Sequence, residues 1–109
     1  ELEQCCPDGY EIDNIKFHAN IDEAVIGKDI ICTDSIPSKA KEDFKEYQIT
    51  LQHMQKANQG AILNPCPPFF RGEEVSEDVI NSDYFVGYEF KKCLINVQQA
   101  ILCYLLDMK

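Results

Sequence analysis

Apolar residues along this chain fall into short runs separated by amphipathic stretches. Ile15-Lys16-Phe17-His18-Ala19 alternates apolar and polar positions, the two-residue period of a half-buried strand. Asp22 then caps a short helix running from Glu23 to Ile26, which Gly27 can close in a left-handed conformation. Ile30-Ile31-Cys32-Thr33 is an apolar run stopped by Asp34 and Pro37, the pattern of a strand covered on both faces in a parallel sheet. Thr50 can cap a second helix, in which Leu51, Met54 and Ala57 recur every third residue until Asn58-Gln59-Gly60 ends it.

Ala61-Ile62-Leu63 predicts the next buried strand. After it, Pro65, Pro67 and Pro68 remove backbone donors and fix φ, making a rigid loop. Ser76 is placed to cap a short helix with Glu77 and Asp78 in its first turn, and Tyr84-Phe85-Val86 has strand composition. From about Phe90 to Leu106 the period lengthens. Leu94, Val97, Ile101, Tyr104 and Leu105 line one face that Ile95, Leu102 and Leu106 widen, so this last helix is expected to be deeply packed. Strands alternating with helices predict parallel crossovers, hence an α/β fold: a parallel sheet with flanking helices. Ligands of such sheets gather at the carboxyl ends of the strands, where loops 34–40 and 64–72 lie.

Composition narrows the functional classes. The chain of 109 residues carries ten cations against nineteen acids, a net charge of −9, and Arg71 is its one guanidinium. Phosphate backbones and anionic membranes require clustered Lys and Arg, so neither nucleic acid nor a membrane surface is an expected partner. The longest purely apolar run, residues 100–106, is far below the roughly 20 residues that span a bilayer. Segment 39–46 mixes both signs of charge and is expected to be a solvated loop or helix surface. Six cysteines are an even number, but Cys32, Cys93 and Cys103 sit inside apolar runs or a helical pattern, which favours reduced thiols and an intracellular, cytoplasmic setting. With no CxxC or CxxH spacing and two distant histidines, neither a zinc site nor another cofactor is expected.

The two loops, together with the segments on their carboxyl-terminal sides, resemble the carboxyl-terminal half of ornithine carbamoyltransferases. The family has a strand before Asp-x-x-x-Ser-Met-Gly, then Tyr-Gln-Val/Ile opening a helix, then a strand ending in His-Cys-Leu-Pro followed by Glu-Glu-Val. The counterparts here are Asp34-Ser35-Ile36-Pro37-Ser38-Lys39-Ala40, Tyr47-Gln48-Ile49, Pro65-Cys66-Pro67-Pro68 and Arg71-Gly72-Glu73-Glu74-Val75. Pro7-Asp8-Gly9-Tyr10-Glu11 is similar to the family's Pro-x-Gly-Tyr-Glu, and the likeness continues through Gln98. The resemblance implies a Rossmann-like, amino-acid-binding domain over residues 1–109, with the domain's first strand and the carbamoyl-phosphate domain outside it.

It also implies substrate-binding roles for Asp34, which would hold the α-amino group of an ornithine-like amino acid, for Ser38, and for Cys66 beside the side-chain amine. Each also has an ordinary structural role: Asp34 and Ser38 as turn residues, Cys66 as strand-end packing. The departures fall on the chemistry. Pro65 stands where the family has a histidine, Lys39-Ala40 replaces Met-Gly, and ungapped counting from Glu74 toward Leu105-Leu106 puts Leu94 at the position of the phosphate-binding arginine. The expectation is a catalytically degenerate carbamoyltransferase-like module that binds an amino acid or takes part in protein assembly. The alternative is a piece of an active carbamoyltransferase whose amino-terminal domain supplies the phosphate site.

Overall fold

A computed structural model describes residues 1–106 of the chain. Every strand pairing in it is parallel. Strand β1 (Glu3–Cys5) pairs with β2 (Lys16–His18), helix α1 (Ile21–Ala24) follows, and β3 (Ile30–Thr33) begins the second pair. Helix α2 (Leu51–Met54) carries the chain across to β4 (Ile62–Pro65), which lies beside β3 in the register Ile30↔Ile62 to Thr33↔Pro65. Helix α3 (Glu77–Ile80) precedes a bridge between Leu63 and Phe85, and the long α4 (Leu94–Leu105) ends the fold after a 3-10 stretch, Glu89–Cys93. This is the α/β arrangement of parallel strands and flanking helices that the alternating pattern predicts.

The core forms where these elements meet. Ile21 and Val25 of the α1 segment pack with Ile31, Ile49, Met54, Ala61, Leu63, Val75, Val79 and Ile80, and four of these, Met54, Leu63, Val75 and Val79, are fully enclosed. The helix starts are fixed by local hydrogen bonds. In α2, the Thr50 hydroxyl accepts from the His53 amide while His53 Nδ1 accepts from the Thr50 amide, a reciprocal cap that makes His53 a structural histidine. Its Nε2 lies 3.5 Å from Asp22, which Lys56 also holds, at 2.6 Å. Gly27 and Gly60, at φ +72° and +82°, turn the chain out of the α1 and α2 segments in a backbone region that a side chain disfavours.

Several elements differ from the pattern-based expectation. Helix α1 is capped by Asn20, whose Oδ1 accepts from the Asp22 amide, so the helix starts at Ile21 and Asp22 lies in its first turn. Strand β3 buries Ile31 only; Ile30 and Cys32, on the other face, are exposed. Ser76 precedes α3 without capping it through its side chain, which bonds Asp78 instead. Tyr84-Phe85-Val86 contributes a single bridge to β4. The largest difference is α4, which has no buried residue: Leu94, Ile95, Val97, Ile101, Leu102, Tyr104, Leu105 and Leu106 are all exposed. The radius of gyration is 15.5 Å, against about 13 Å for a compact chain of this length. The periodicity is helical as expected, but the face it defines is left exposed among the described residues.

Elsewhere the Glu3 carboxylate gathers two lysines and a histidine. Glu3 Oε2 meets His18 Nε2 at 2.6 Å, while Oε1 takes Lys28 at 3.0 Å and Lys16 at 3.2 Å. His18 above all, then Lys28 and Lys16, hold the Glu3 carboxyl down from 4.5 to about 2. Because the folded value is the lower one, the contribution of Glu3 is fully present above about pH 4.5 and disappears as pH falls through about 2. Acid titration of stability should therefore be shallower between pH 4.5 and 2 in Glu3→Gln than in the parent; identical curves would contradict this assignment. Leu63→Ala should cost about 2–5 kcal/mol in denaturant unfolding, whereas Leu102→Ala on α4 should cost less than about 0.5 kcal/mol in the same chain.

Candidate functional site

Parallel pairing of β3 and β4 delivers their carboxyl ends, and so loops 34–40 and 64–72, to the same side of the sheet. The two loops are joined at once. The Cys66 amide donates to the Thr33 carbonyl at 2.9 Å, carrying the ladder one residue beyond β4 and placing Cys66 next to the residue that precedes Asp34. The Ser35 hydroxyl reaches across to the Pro68 carbonyl at 2.8 Å. Beneath them the Glu74 carboxylate, 3% exposed, accepts from the Ile36 amide at 3.4 Å and the Phe70 amide at 2.8 Å.

Asp34 and Cys66 thus stand side by side at the strand ends, both exposed. Asp34 Oδ1 accepts from the Ser35 amide at 2.8 Å, the local turn bond typical of aspartate after a strand; the carboxylate still faces solvent. The Cys66 thiol has only a weak contact, 3.9 Å, with the Pro67 carbonyl. Ser38 is brought less close: it opens the exposed 3-10 turn Ser38–Ala40, whose Ala40 is buried, and its hydroxyl makes no hydrogen bond among the described residues. Lys39, in the same turn, is exposed.

Pro65 ends β4, buried and opposite Thr33. It has no N–H, and its ring neither donates nor accepts a proton, so this strand-end side chain offers no acid, base or oxyanion donor. Facing it, Thr33 Oγ1 is a buried side-chain oxygen with no hydrogen-bond partner. A cation does reach this end of β4. Leu94 is 48% exposed on α4, whereas Lys91, three residues earlier, reaches Asn64 Oδ1 with its Nζ at 2.6 Å. Asn64 in turn points its Nδ2 toward Cys32 Sγ at 3.9 Å. The signal for Lys91 in the sequence is only a positive charge just ahead of a helix.

Two further features border the loops. Lys41 pairs with Glu73 at 2.8 Å and lies 5.7 Å above the Phe70 ring, crossing from the first loop to the second. A cleft of about 170 Å³ opens between Ile36, Lys41, Phe44, Lys45, Gln48 and Glu73, beside the strand ends but lined by neither Asp34 nor Cys66. Among the described residues, no group of three or more His, Cys, Asp or Glu is arranged to hold a metal ion, and no helix is long and apolar enough to cross a membrane.

Comparison with known proteins finds the same architecture. The family model for the Asp/Orn-binding domain of aspartate/ornithine carbamoyltransferase matches residues 3–105. An ornithine carbamoyltransferase of Chromobacterium violaceum is 31% identical over 97% of this chain and 40% of its own length. The ornithine carbamoyltransferase structure from Burkholderia thailandensis superposes with a TM-score of 0.82 at 28% identity, covering 97% of this chain and 39% of that one. The anabolic enzyme from Campylobacter jejuni gives 0.81 at 25% identity, over 99% and 44%. The chain therefore spans about two fifths of the length of the relatives it matches.

The orphaned hydroxyl at the strand end yields a direct test. Since Thr33 Oγ1 makes no bond, Thr33→Val, which keeps the shape and removes the buried polar atom, should leave stability within about 0.5 kcal/mol or raise it. Denaturant unfolding of the two chains reads this out; a loss above about 1 kcal/mol would mean the hydroxyl has a partner in solution.

Proposed function

Because the chain belongs to the aspartate/ornithine carbamoyltransferase family and corresponds to its Asp/Orn-binding domain, we propose that it binds a basic amino acid such as ornithine at the ends of β3 and β4 and does not itself transfer a carbamoyl group. The observation that carries this is the juxtaposition of Asp34 and Cys66 by the parallel pair, with the Cys66 amide bonded to the Thr33 carbonyl. An exposed carboxylate at a strand end is a natural acceptor for an α-ammonium group, and the charge-assisted bond is stronger than one between neutral groups. Cys66 would lie along the side chain toward its terminal amine, with Ser38 on the neighbouring turn closing over the carboxylate end.

Carbamoyl transfer asks for more. The amine nitrogen must bond to the carbamoyl carbon while the carbon–oxygen bond to phosphate breaks and the amine gives up a proton. Pro65 supplies neither an oxyanion donor nor a proton acceptor at the strand end, and Lys39-Ala40 brings no flexible glycine to the first loop. Loss of the chemistry with retention of the scaffold is what a binding or assembly module would keep.

A second function, as part of an active carbamoyltransferase, is favoured by one observation: Lys91 Nζ, 2.6 Å from Asn64 Oδ1, puts a cation at the carboxyl end of β4, where an anionic co-substrate would need one. The two functions separate in one pair of measurements on the full natural chain carrying these residues. Ornithine at millimolar concentration should shift the backbone amides of Asp34 and Cys66, and ornithine with carbamoyl phosphate should give no citrulline above the uncatalysed background. Absence of any amide shift would exclude the amino-acid site; clear citrulline formation would establish the enzyme and make Lys91 the first residue to substitute.

A further inference from the structure

Glu74 is the one charged residue among the buried residues of the described chain, and Lys41, the cation close by, is engaged by Glu73 instead. A carboxylate buried without a cation is costly unless hydrogen bonds compensate for the lost water, and an apolar side chain of similar volume would usually serve stability better. Its compensation comes from two backbone amides, each from a different loop: Ile36, two residues after Asp34, and Phe70, four residues after Cys66. The residue is itself fixed in place. Its carbonyl accepts from the Ile49 amide at 3.0 Å, Gln48 Nε2 holds the Glu73 carbonyl at 3.1 Å, and the Gly72 amide bonds the Val75 carbonyl at 2.8 Å.

We propose that Glu74 is a positioning residue that makes the two loops a single ligand-binding unit, so that a ligand held by loop 34–38 also orders loop 66–70. The inference rests on the amino-acid-binding function above. The chemistry is specific to a carboxylate, which offers two acceptor oxygens to two donors. Glutamine in its place presents one acceptor and one donor, so that one of the two backbone amides must face an N–H group. Ser35 makes a second link, to Pro68, at the exposed mouth; there water competes for the same groups, so the buried link is the dominant one.

The test uses the full natural chain, with ornithine as the probe and NMR as the readout. In the parent, amides of both loops should shift along one binding curve. In Glu74→Gln the affinity should fall about tenfold, as for loss of one charge-assisted bond, and the response of Cys66 and Phe70 should drop well below that of Asp34 and Ile36. A purely structural role would instead lower the unfolding midpoint and leave the two loops responding equally, which would overturn the proposal. If the parent does not bind ornithine, the amino-acid function fails, and loop coupling is judged without ligand. Millisecond exchange broadening should then appear in both loops of Glu74→Gln while Leu63 and Met54 stay sharp; broadening of one loop alone, or of the whole chain, overturns the proposal. Should Glu74→Gln not fold, Ser35→Ala, an exposed change, decides. With the buried link intact, Ile36 and Phe70 should keep a common exchange rate, and separate rates would refute the coupling.

Discussion

The parallel pairing of β3 with β4 is the constraint on which the rest of this structure depends. A two-residue period and a fixed strand direction leave both carboxyl ends on the same side, so the aspartate after one strand and the cysteine after the other meet without further arrangement. An antiparallel or displaced pairing would separate Asp34 from Cys66 by the length of a strand. Everything proposed about the ligand depends on that adjacency, and the buried carboxylate below it converts adjacency into a held geometry.

Under the proposed function, this region would keep a binding scaffold without a catalytic apparatus. The polar links that keep the loops together involve backbone groups, Ser35 and Glu74, none of which has to handle protons or phosphate. Substitution at the strand end therefore leaves the architecture intact. Pro65 fits a strand end, where its missing N–H breaks no ladder bond that the next residue cannot make: the Cys66 amide takes the Thr33 carbonyl. Chemistry would be lost at position 65 at little cost to the fold. Lys91 is the counterweight, a cation delivered to the same end of β4 from the segment before α4.

The strands β3 and β4, the Thr50 cap and the two loops could be read from the sequence because their signals are local: apolar runs, a capping threonine, prolines and glycines. The position of Asp34 and Cys66 followed from those runs and from the family resemblance together. What could not be read is set by tertiary contact. Periodicity identified α4 but not what its apolar side faces, since burial belongs to a partner surface and not to the helix. Asn20 displaced Asp22 as the cap of α1 because both residue types cap well and geometry chooses between neighbours. Glu74 looked like one more acid in a chain of nineteen until its burial and its two donors were seen. Lys91 looked like one more exposed lysine ahead of a helix until its contact with Asn64 was seen.

Amide hydrogen exchange at Ile36 and Phe70 tests most directly whether the two loops are held as one site. Neither residue belongs to a strand or helix, so only the Glu74 carboxylate can protect them. The structure predicts that both amides exchange slowly and at similar rates, approaching the protection of Leu63 in the core. Rapid exchange at both, comparable to that of the exposed segment 41–46, would contradict a fixed pair of loops and remove the basis for a preformed amino-acid site.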